Sequence, residues 1–535
     1  MARSATLALP LLLVLLPLLS LSTFARAALS PRLDHQHRQH RHHDFAHRLA
    51  PSRRHASLDR RATVFSCAET IDCTNAGSPE PDHAHRKCNK TTATCTFACD
   101  TGYILSGSTC IRSAATSTAT ASTRTTTTTA KPSSSTSSPS TTCAPSYTGG
   151  SSTVSGTGTL PKPTTFVKRA AGSQKLTLDG KTYRIVGPNI YWLCSDENDG
   201  PVGSPPAKSR VREVLAGAVA MGATTIRAHS CGISVGPNTP YSLEPKLGVF
   251  NSSAWDARDY AIFAAREYGL RLILPLTDNW DYYHGGKYDF IDFAGLSRNN
   301  YGEKFYSAKA VVAAFGGYIT ELLKHYNPYT GLHYYEDPTI LAWETGNELG
   351  GYIGAEGYPP AAWTTKIVSY IRAVDSRHLV IDGSSGFWNY STGATAPGLG
   401  VTGIDIVTDH GYPRNIGILN KEISLAKAAG KAFFIGEYDW TPTGSSVSLS
   451  DYLATIETSG SSSYMGDMIW SLFGKDAQCC NFIRHRDGYS LYYPDGGSKD
   501  DAVNALAVVQ HWARLQGKAI PQTLPAVACP QPAFP

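Results

Sequence analysis

The stretch Ile340-Leu341-Ala342-Trp343-Glu344-Thr345-Gly346-Asn347-Glu348-Leu349 decides the fold. An apolar run ends in two carboxylates and an amide. The apolar part has the length and content of a buried strand, and the polar part marks where that strand surfaces. Glu344 then lies inside the strand, paired in the interior. Asn347 and Glu348 lie at its C-terminal end, where parallel barrels keep their chemistry. The run Ala432-Phe433-Phe434-Ile435-Gly436-Glu437-Tyr438 has the same form. If both strands belong to one barrel, Glu348 and Glu437 face each other across its mouth.

Working outward, six more strands are expected at 183–191, 224–227, 270–276, 379–382, 404–408 and 468–471. Helical periodicity occupies 209–221, 254–268, 305–326, 361–374, 416–429, 451–457 and 502–515. Every strand except the fifth is followed by a helix. This alternation predicts an α/β domain over 170–535, a (β/α)8 TIM barrel. A doubly wound open sheet is the alternative, but no Gly-rich phosphate loop follows the first strand.

The chain has 535 residues, too many for one ordinary core. Residues 1–27 carry Arg3, an apolar run over 7–21 and the small-residue exit Ala25-Arg26-Ala27, the layout of a secretory signal peptide. The run is short for a spanning helix. A secreted, extracellular product, free of the membrane once its signal is removed, is expected, with monomer as its default state. Residues 28–61 read as a His/Arg-rich pro-segment ending in the dibasic Arg60-Arg61, with a metal-binding tract as the alternative. Residues 62–112 hold Cys67, Cys73, Cys88, Cys95, Cys99 and Cys110. So short a segment buries little apolar surface, and disulfides would stabilise it. The loop from Cys99 to Cys110 resembles the closing loop of an EGF-like module. It serves either as a contact for cell wall or glycan or as a spacer. Residues 113–169 are a Ser/Thr-rich, O-glycosylated linker that cannot form a core, ending at a second dibasic pair, Lys168-Arg169. Asn89, Asn251 and Asn389 head N-glycosylation motifs, and 12 cysteines suit an oxidising compartment. The net charge of +5, weighted to the first seventy residues, gives nucleic acid no support as a partner.

Two carboxylates in one cleft are what glycosidic bond cleavage needs: one acid on the leaving oxygen and one nucleophile at the anomeric carbon. Burial keeps the first protonated, and neighbouring positive charge keeps the second ionised. Around Glu348 and Glu437, Asn347 is placed to bond a sugar 2-OH. Arg227 ends the second strand and would hold the nucleophile anionic. Tyr412 would donate to the nucleophile, and His410 would meet substrate or Glu348. Trp470 offers a sugar platform. Asn279-Trp280 and Tyr191-Trp192 would widen the same cleft. Cys194 and Cys231 follow the first two strands, so a bridge near the cleft is expected. The vicinal Cys479-Cys480 would pair with different partners. No metal motif stands out, and the chemistry requires no metal or other cofactor.

Arg227, Asn347-Glu348, His410-Gly411-Tyr412, Glu437 and Trp470, in that order, resemble the catalytic set of glycoside hydrolase family 5, of clan A. Within it, the stretches 274–282 and 329–344 and the triplet Gly436-Glu437-Tyr438 look like endo-β-1,4-mannanases of fungal and plant type. The resemblance covers roughly residues 180–515. It implies Glu348 as acid/base, Glu437 as nucleophile, a covalent mannosyl-enzyme with net retention, and mannan or glucomannan as the polysaccharide partner. Two positions depart from the family. Leu349-Gly350-Gly351 replace a Pro and a sugar-binding Arg, and His229 stands where an aromatic is usual. They leave open exo-β-mannosidase or β-glucanase action. A non-catalytic carbohydrate-binding wall protein is the rival of another class.

Overall fold

The computed structural model describes residues 160–534 except 351–356, 442–444, 460–463, 486 and 495–498, with the backbone of four short strands between 84 and 112. The expected signal peptide and pro-segment, nearly all of the linker, and the side chains of the Cys-rich module lie outside the described residues. In the module, Ala84–Asn89 pairs antiparallel with Thr94–Cys99, and Tyr103–Ser106 with Thr109–Arg112.

Eight strands form the main sheet of the other unit: β1 Ile185–Pro188, β2 Thr225–Arg227, β3 Arg271–Pro275, β4 Ile340–Glu344, β5 Leu379–Asp382, β6 Ile406–Gly411, β7 Ala432–Tyr438 and β8 Tyr464–Ile469. They read as unbroken apolar runs because both of their faces are covered. Ile185, Ile273, Ala342, Ile381, Ile406, Phe434 and Met468 share one interior cluster. Val186, Leu272, Trp343, Val380, Val407 and Phe433 belong to a second cluster beneath the helices. All neighbours are parallel, in the order β1-β8-β7-β6-β5-β4-β3-β2. The ring closes where the Thr224 N–H donates to the Val186 carbonyl (2.8 Å) and the Ile190 N–H to that of Arg227 (2.9 Å). This is the expected (β/α)8 barrel.

Helices α1 Lys208–Ala220, α2 Trp255–Glu267, α3 Lys309–Lys324, α4 Ala361–Arg372, α5 Ile416–Ala428, α6 Leu449–Ser459 and α7 Lys499–Leu515 cross between strands or close the series. After β5 there is only the 3₁₀ turn Pro397–Gly400, as the missing periodicity predicted. Several boundaries differ from expectation. The first strand, expected over 183–191, spans only Ile185–Pro188, because Tyr191 and Trp192 lie in a turn. The helix expected over 305–326 breaks at Ala308, whose backbone is extended (ψ 119°). β6 continues to Gly411 and so carries Asp409 and His410 within the sheet. β8 starts at Tyr464 rather than 468; the apolar pattern is interrupted by its buried Asp467, which accepts bonds from Trp512 Nε1 (2.8 Å) and Tyr438 Oη (3.1 Å).

The domain also begins before residue 170. Val167, Leu176 and Tyr183 belong to the interior cluster. Lys168–Arg169 forms a strand against Leu176–Leu178, and Arg169 bonds the Asp405 carboxylate (3.2 Å) and the Gly430 carbonyl (2.9 Å). A linker running to 169 is therefore corrected: its last residues have apolar and charged partners in the barrel. The Cys194–Cys231 disulfide ties the loop after β1 to that after β2, and Cys480 bonds Cys529 rather than its neighbour Cys479.

Candidate active site

Arg227, at the end of β2, is fully buried and organises the barrel mouth. Its Nε and Nη2 donate to both oxygens of Glu344 (2.7 and 2.8 Å), a bidentate pair inside the barrel. Its Nη1 donates to Glu437 Oε1 (2.7 Å) and Asn189 Oδ1 (3.2 Å), and its Nη2 also to Asn347 Oδ1 (2.9 Å). A guanidinium has five N–H groups in a fixed fork, which suits one side chain to aligning so many acceptors. Asn347 passes the alignment on, since its Nδ2 donates to Asp278 Oδ1 (3.1 Å). Asp278 is steadied in turn by His284 Nε2 (3.0 Å) and the Trp280 N–H (3.1 Å).

Glu348 sits just beyond β4 with a left-handed backbone, φ 52°. That conformation is rare for a residue with a Cβ, and such outliers gather at functional sites. Trp280 Nε1 donates to its Oε2 (2.5 Å), and His410 Nδ1 lies 2.8 Å from its Oε1. His410 Nδ1 is also 3.5 Å from Glu437 Oε1. A register shift between Asp409 and His410 sets His410 opposite Glu437 in the β6–β7 ladder. Gly436 makes room for the ring: a Cβ there would lie 2.9 Å from His410 Nε2. Tyr412 Oη donates to Glu437 Oε2 at 3.4 Å. Among the described residues, Glu348, His410 and Glu437 are the one trio of potential cation ligands, with donor atoms within 4.8 Å of one another. Arg227 already places a fixed positive charge on Glu437.

Burial pushes the Glu437 carboxyl up to about 7; His410 and Arg227 pull it down, and the Glu348 carboxylate adds to the rise. Burial also works against a charged His410, but Glu437 and Glu348 outweigh it and raise its pKa. His229 is held well below the usual imidazole range by burial and then by Arg227, so it is neutral. A nucleophilic Glu437 must be ionised, so turnover falls as pH drops through its pKa. In Glu348→Gln a neighbouring negative charge is gone. The acid limb of kcat/KM for an activated aryl glycoside, which needs no acid catalyst, is expected to move to lower pH. A limb that stays in place or moves up would contradict the coupling.

Arg227, Asn347, Glu348, His410, Tyr412, Glu437 and Trp280 therefore converge as the sequence predicted, and half-buried Trp470 stands beside them, its ring edge-on to His229 (5.3 Å between centroids). Two residues do not join them. Trp192 is fully buried, donates Nε1 to the Leu472 carbonyl (3.1 Å) and carries the Arg210 guanidinium over its ring (3.9 Å). Its neighbour Tyr191 packs against Trp470 instead. Asn279 is 2% exposed and its Oδ1 accepts from Lys287 Nζ (2.6 Å), so it supports the loop beneath the cleft. Sequence reasoning gave no role to Asp278, His284 or Asn189, which touch the site only through tertiary contacts.

Fold and site together define a barrel protein of the glycoside hydrolase class, with glutamates at the ends of β4 and β7. A family model described as GH family 5 beta-mannosidase-like matches residues 164–438, just over half of the chain and inclusive of both glutamates. The chain belongs to that family. It is 34% identical over 228 residues to mannan endo-1,4-beta-mannosidase 2 of Oryza sativa subsp. japonica (42% of this chain, 48% of the relative). It is 29% identical over 272 residues to mannan endo-1,4-beta-mannosidase 7 of Arabidopsis thaliana (48% and 60%). The chain thus spans about half the length of the curated relatives it matches. Its fold is that of the endo-1,4-beta-mannanase from Rhizomucor miehei (TM-score 0.54, 23% identity, 66% of this chain and 100% of that one).

Proposed function

We propose that this protein is a secreted, retaining hydrolase of β-1,4-mannosidic bonds in mannan-type polysaccharides. The observation that carries the reading is the close approach of Glu348 and Glu437, whose nearest donor oxygens lie within 4.8 Å of each other and of His410 Nδ1. Retaining enzymes hold their carboxyl groups about 5–5.5 Å apart, whereas inverting ones need about 6.5–9.5 Å for an intervening water. In the first step Glu348 protonates the leaving oxygen while Glu437 attacks the anomeric carbon, giving a glycosyl-enzyme ester. In the second, Glu348 takes a proton from water, which displaces Glu437 with a second inversion. Arg227 and Tyr412 orient the nucleophile. Trp280 and His410 hold Glu348 towards the leaving group, and His410 spans both carboxylates.

The names of the matched plant relatives support mannan or glucomannan as substrate. The leader at 1–27 and the two disulfides support secretion. Among the described residues no helix is long and apolar enough to cross a membrane. The test is release of reducing ends from mannan, glucomannan and cellulose, with NMR of the first anomer formed. Mannan and glucomannan are expected to be cut and the β-anomer to appear first. Faster cleavage of cellulose would overturn the substrate, an α-anomer the retaining mechanism, and no release from any β-glycan the hydrolase reading itself.

A further inference from the structure

Three loops meet around Trp470 and bond to one another. The Tyr191 ring, from the loop after β1, stacks on the Trp470 ring (5.3 Å between centroids, 13° between planes). Tyr191 Oη donates to Glu197 Oε1 (2.9 Å) and accepts from Asn198 Nδ2 (3.0 Å). Tyr282, from the loop after β3, bonds the same Glu197 oxygen. His485, from the loop after β8, reaches Asn198 Oδ1 through Nδ1 (2.8 Å). Trp470 Nε1 donates to Asp487 Oδ2 (2.9 Å) in that last loop. One aromatic ring thus separates the platform from a carboxylate that two tyrosine hydroxyls share.

This network joins the loops after β8, β1 and β3, and the end of β2 between them is buried, with His229 edge-on to Trp470. Ala228, His229, Ser230 and Cys231 are each no more than 1% exposed. With Glu348 on β4 and Glu437 on β7 flanking the bond to be cut, a sugar seated on Trp470 would lie on the β8–β1–β2 side. On the opposite side, over β5, Trp388 and Asn389 are half-buried and Tyr390 is 48% exposed.

We propose that the wall of Tyr191, Glu197, Asn198, Tyr282 and His485 closes the platform side to one sugar unit, so that bonds are cut from the non-reducing chain end. The leaving chain departs over β5, and each turnover adds one water and frees one monosaccharide. This rests on the hydrolase reading, and it departs from the internal cleavage implied by the resemblance to endo-mannanases. A wall cross-linked by side-chain bonds is preorganised, so excluding a second unit requires no closure on binding.

The experiment follows a β-1,4-linked mannohexaose labelled at its reducing end. At the first time point wild type is expected to give mannose and labelled pentasaccharide alone. Labelled di-, tri- and tetrasaccharides at that point would overturn the wall. Tyr282→Ala opens it, and disaccharide is then expected among the early unlabelled products. Turnover of an aryl β-mannoside, which fills only the platform, should stay within about tenfold, equivalent to about 1.4 kcal/mol in the barrier. His485→Ala is the second variant should Tyr282→Ala not fold. Unchanged products in a folded variant of either kind overturn the assignment. Failure of wild type to cleave both hexasaccharide and aryl mannoside would instead sink the hydrolase reading.

Discussion

Glu437→Ala is expected to lose turnover on every substrate by about four orders of magnitude or more, ~5 kcal/mol or more in the barrier. The loss should be the same for good and poor leaving groups, because the covalent bond to the anomeric carbon has no substitute. Glu348→Ala should behave differently. Its loss should be large on mannan; on an aryl glycoside whose leaving group needs no proton it should be small in kcat/KM, while kcat falls because the glycosyl-enzyme has lost its general base. Added azide separates the two roles further. In Glu437→Ala it takes the vacated place of the nucleophile, attacks once and gives the inverted α-glycosyl azide. In Glu348→Ala it attacks the glycosyl-enzyme and gives the β-product. Swapped stereochemistry would mean that acid/base and nucleophile have been exchanged.

The second large effect is expected at Arg227, and it reaches stability as well as turnover. Arg227→Met leaves Glu344 fully buried and without its bidentate partner, and it frees Glu437 and Asn347 at the same time. Breaking one side of a buried ion pair costs about 3–5 kcal/mol. Denaturant unfolding of the full chain should show a loss of that order. Arg227→Lys should recover only part of it, since one ammonium cannot serve Glu344, Glu437, Asn347 and Asn189 in fixed directions. Turnover should fall in both variants even where the protein stays folded. An Arg227→Met protein with wild-type stability and rate would remove this residue from the centre of the site.

Much of the barrel was legible because parallel strands buried on both faces write themselves as apolar runs, and each such run here ends where a polar side chain surfaces. That pattern located Glu348 and Glu437 and separated the interior Glu344 from its neighbour. It failed where burial is not apolar. Asp467 hid the start of β8, since a buried carboxylate satisfied by Trp512 and Tyr438 looks, in one dimension, like a surface residue. Trp192 failed for the opposite reason. Tyr191 and Trp192 are the central residues of a turn closed by the Leu193 N–H to the Ile190 carbonyl (3.3 Å), and nothing local says that Tyr191 faces Trp470 while Trp192 receives Arg210. The Asp278–Asn347–Arg227 chain joins residues far apart in sequence and could be seen only once folded. The domain start was misplaced because Val167 is a single apolar residue at the edge of a Ser/Thr tract, too brief a signal for its place in the barrel floor.

The left-handed backbone at Glu348 has a genealogical consequence. Holding an ordinary residue there costs about 1–2 kcal/mol, which glycine would largely escape and asparagine would reduce. Drift alone would therefore carry this position away from glutamate, since the commonest relief is also a gain in stability. A lineage that ceased to depend on the carboxylate would have a downhill step waiting at this one codon. On the reading proposed above, a glutamate on that step is what selection for its carboxylate would leave.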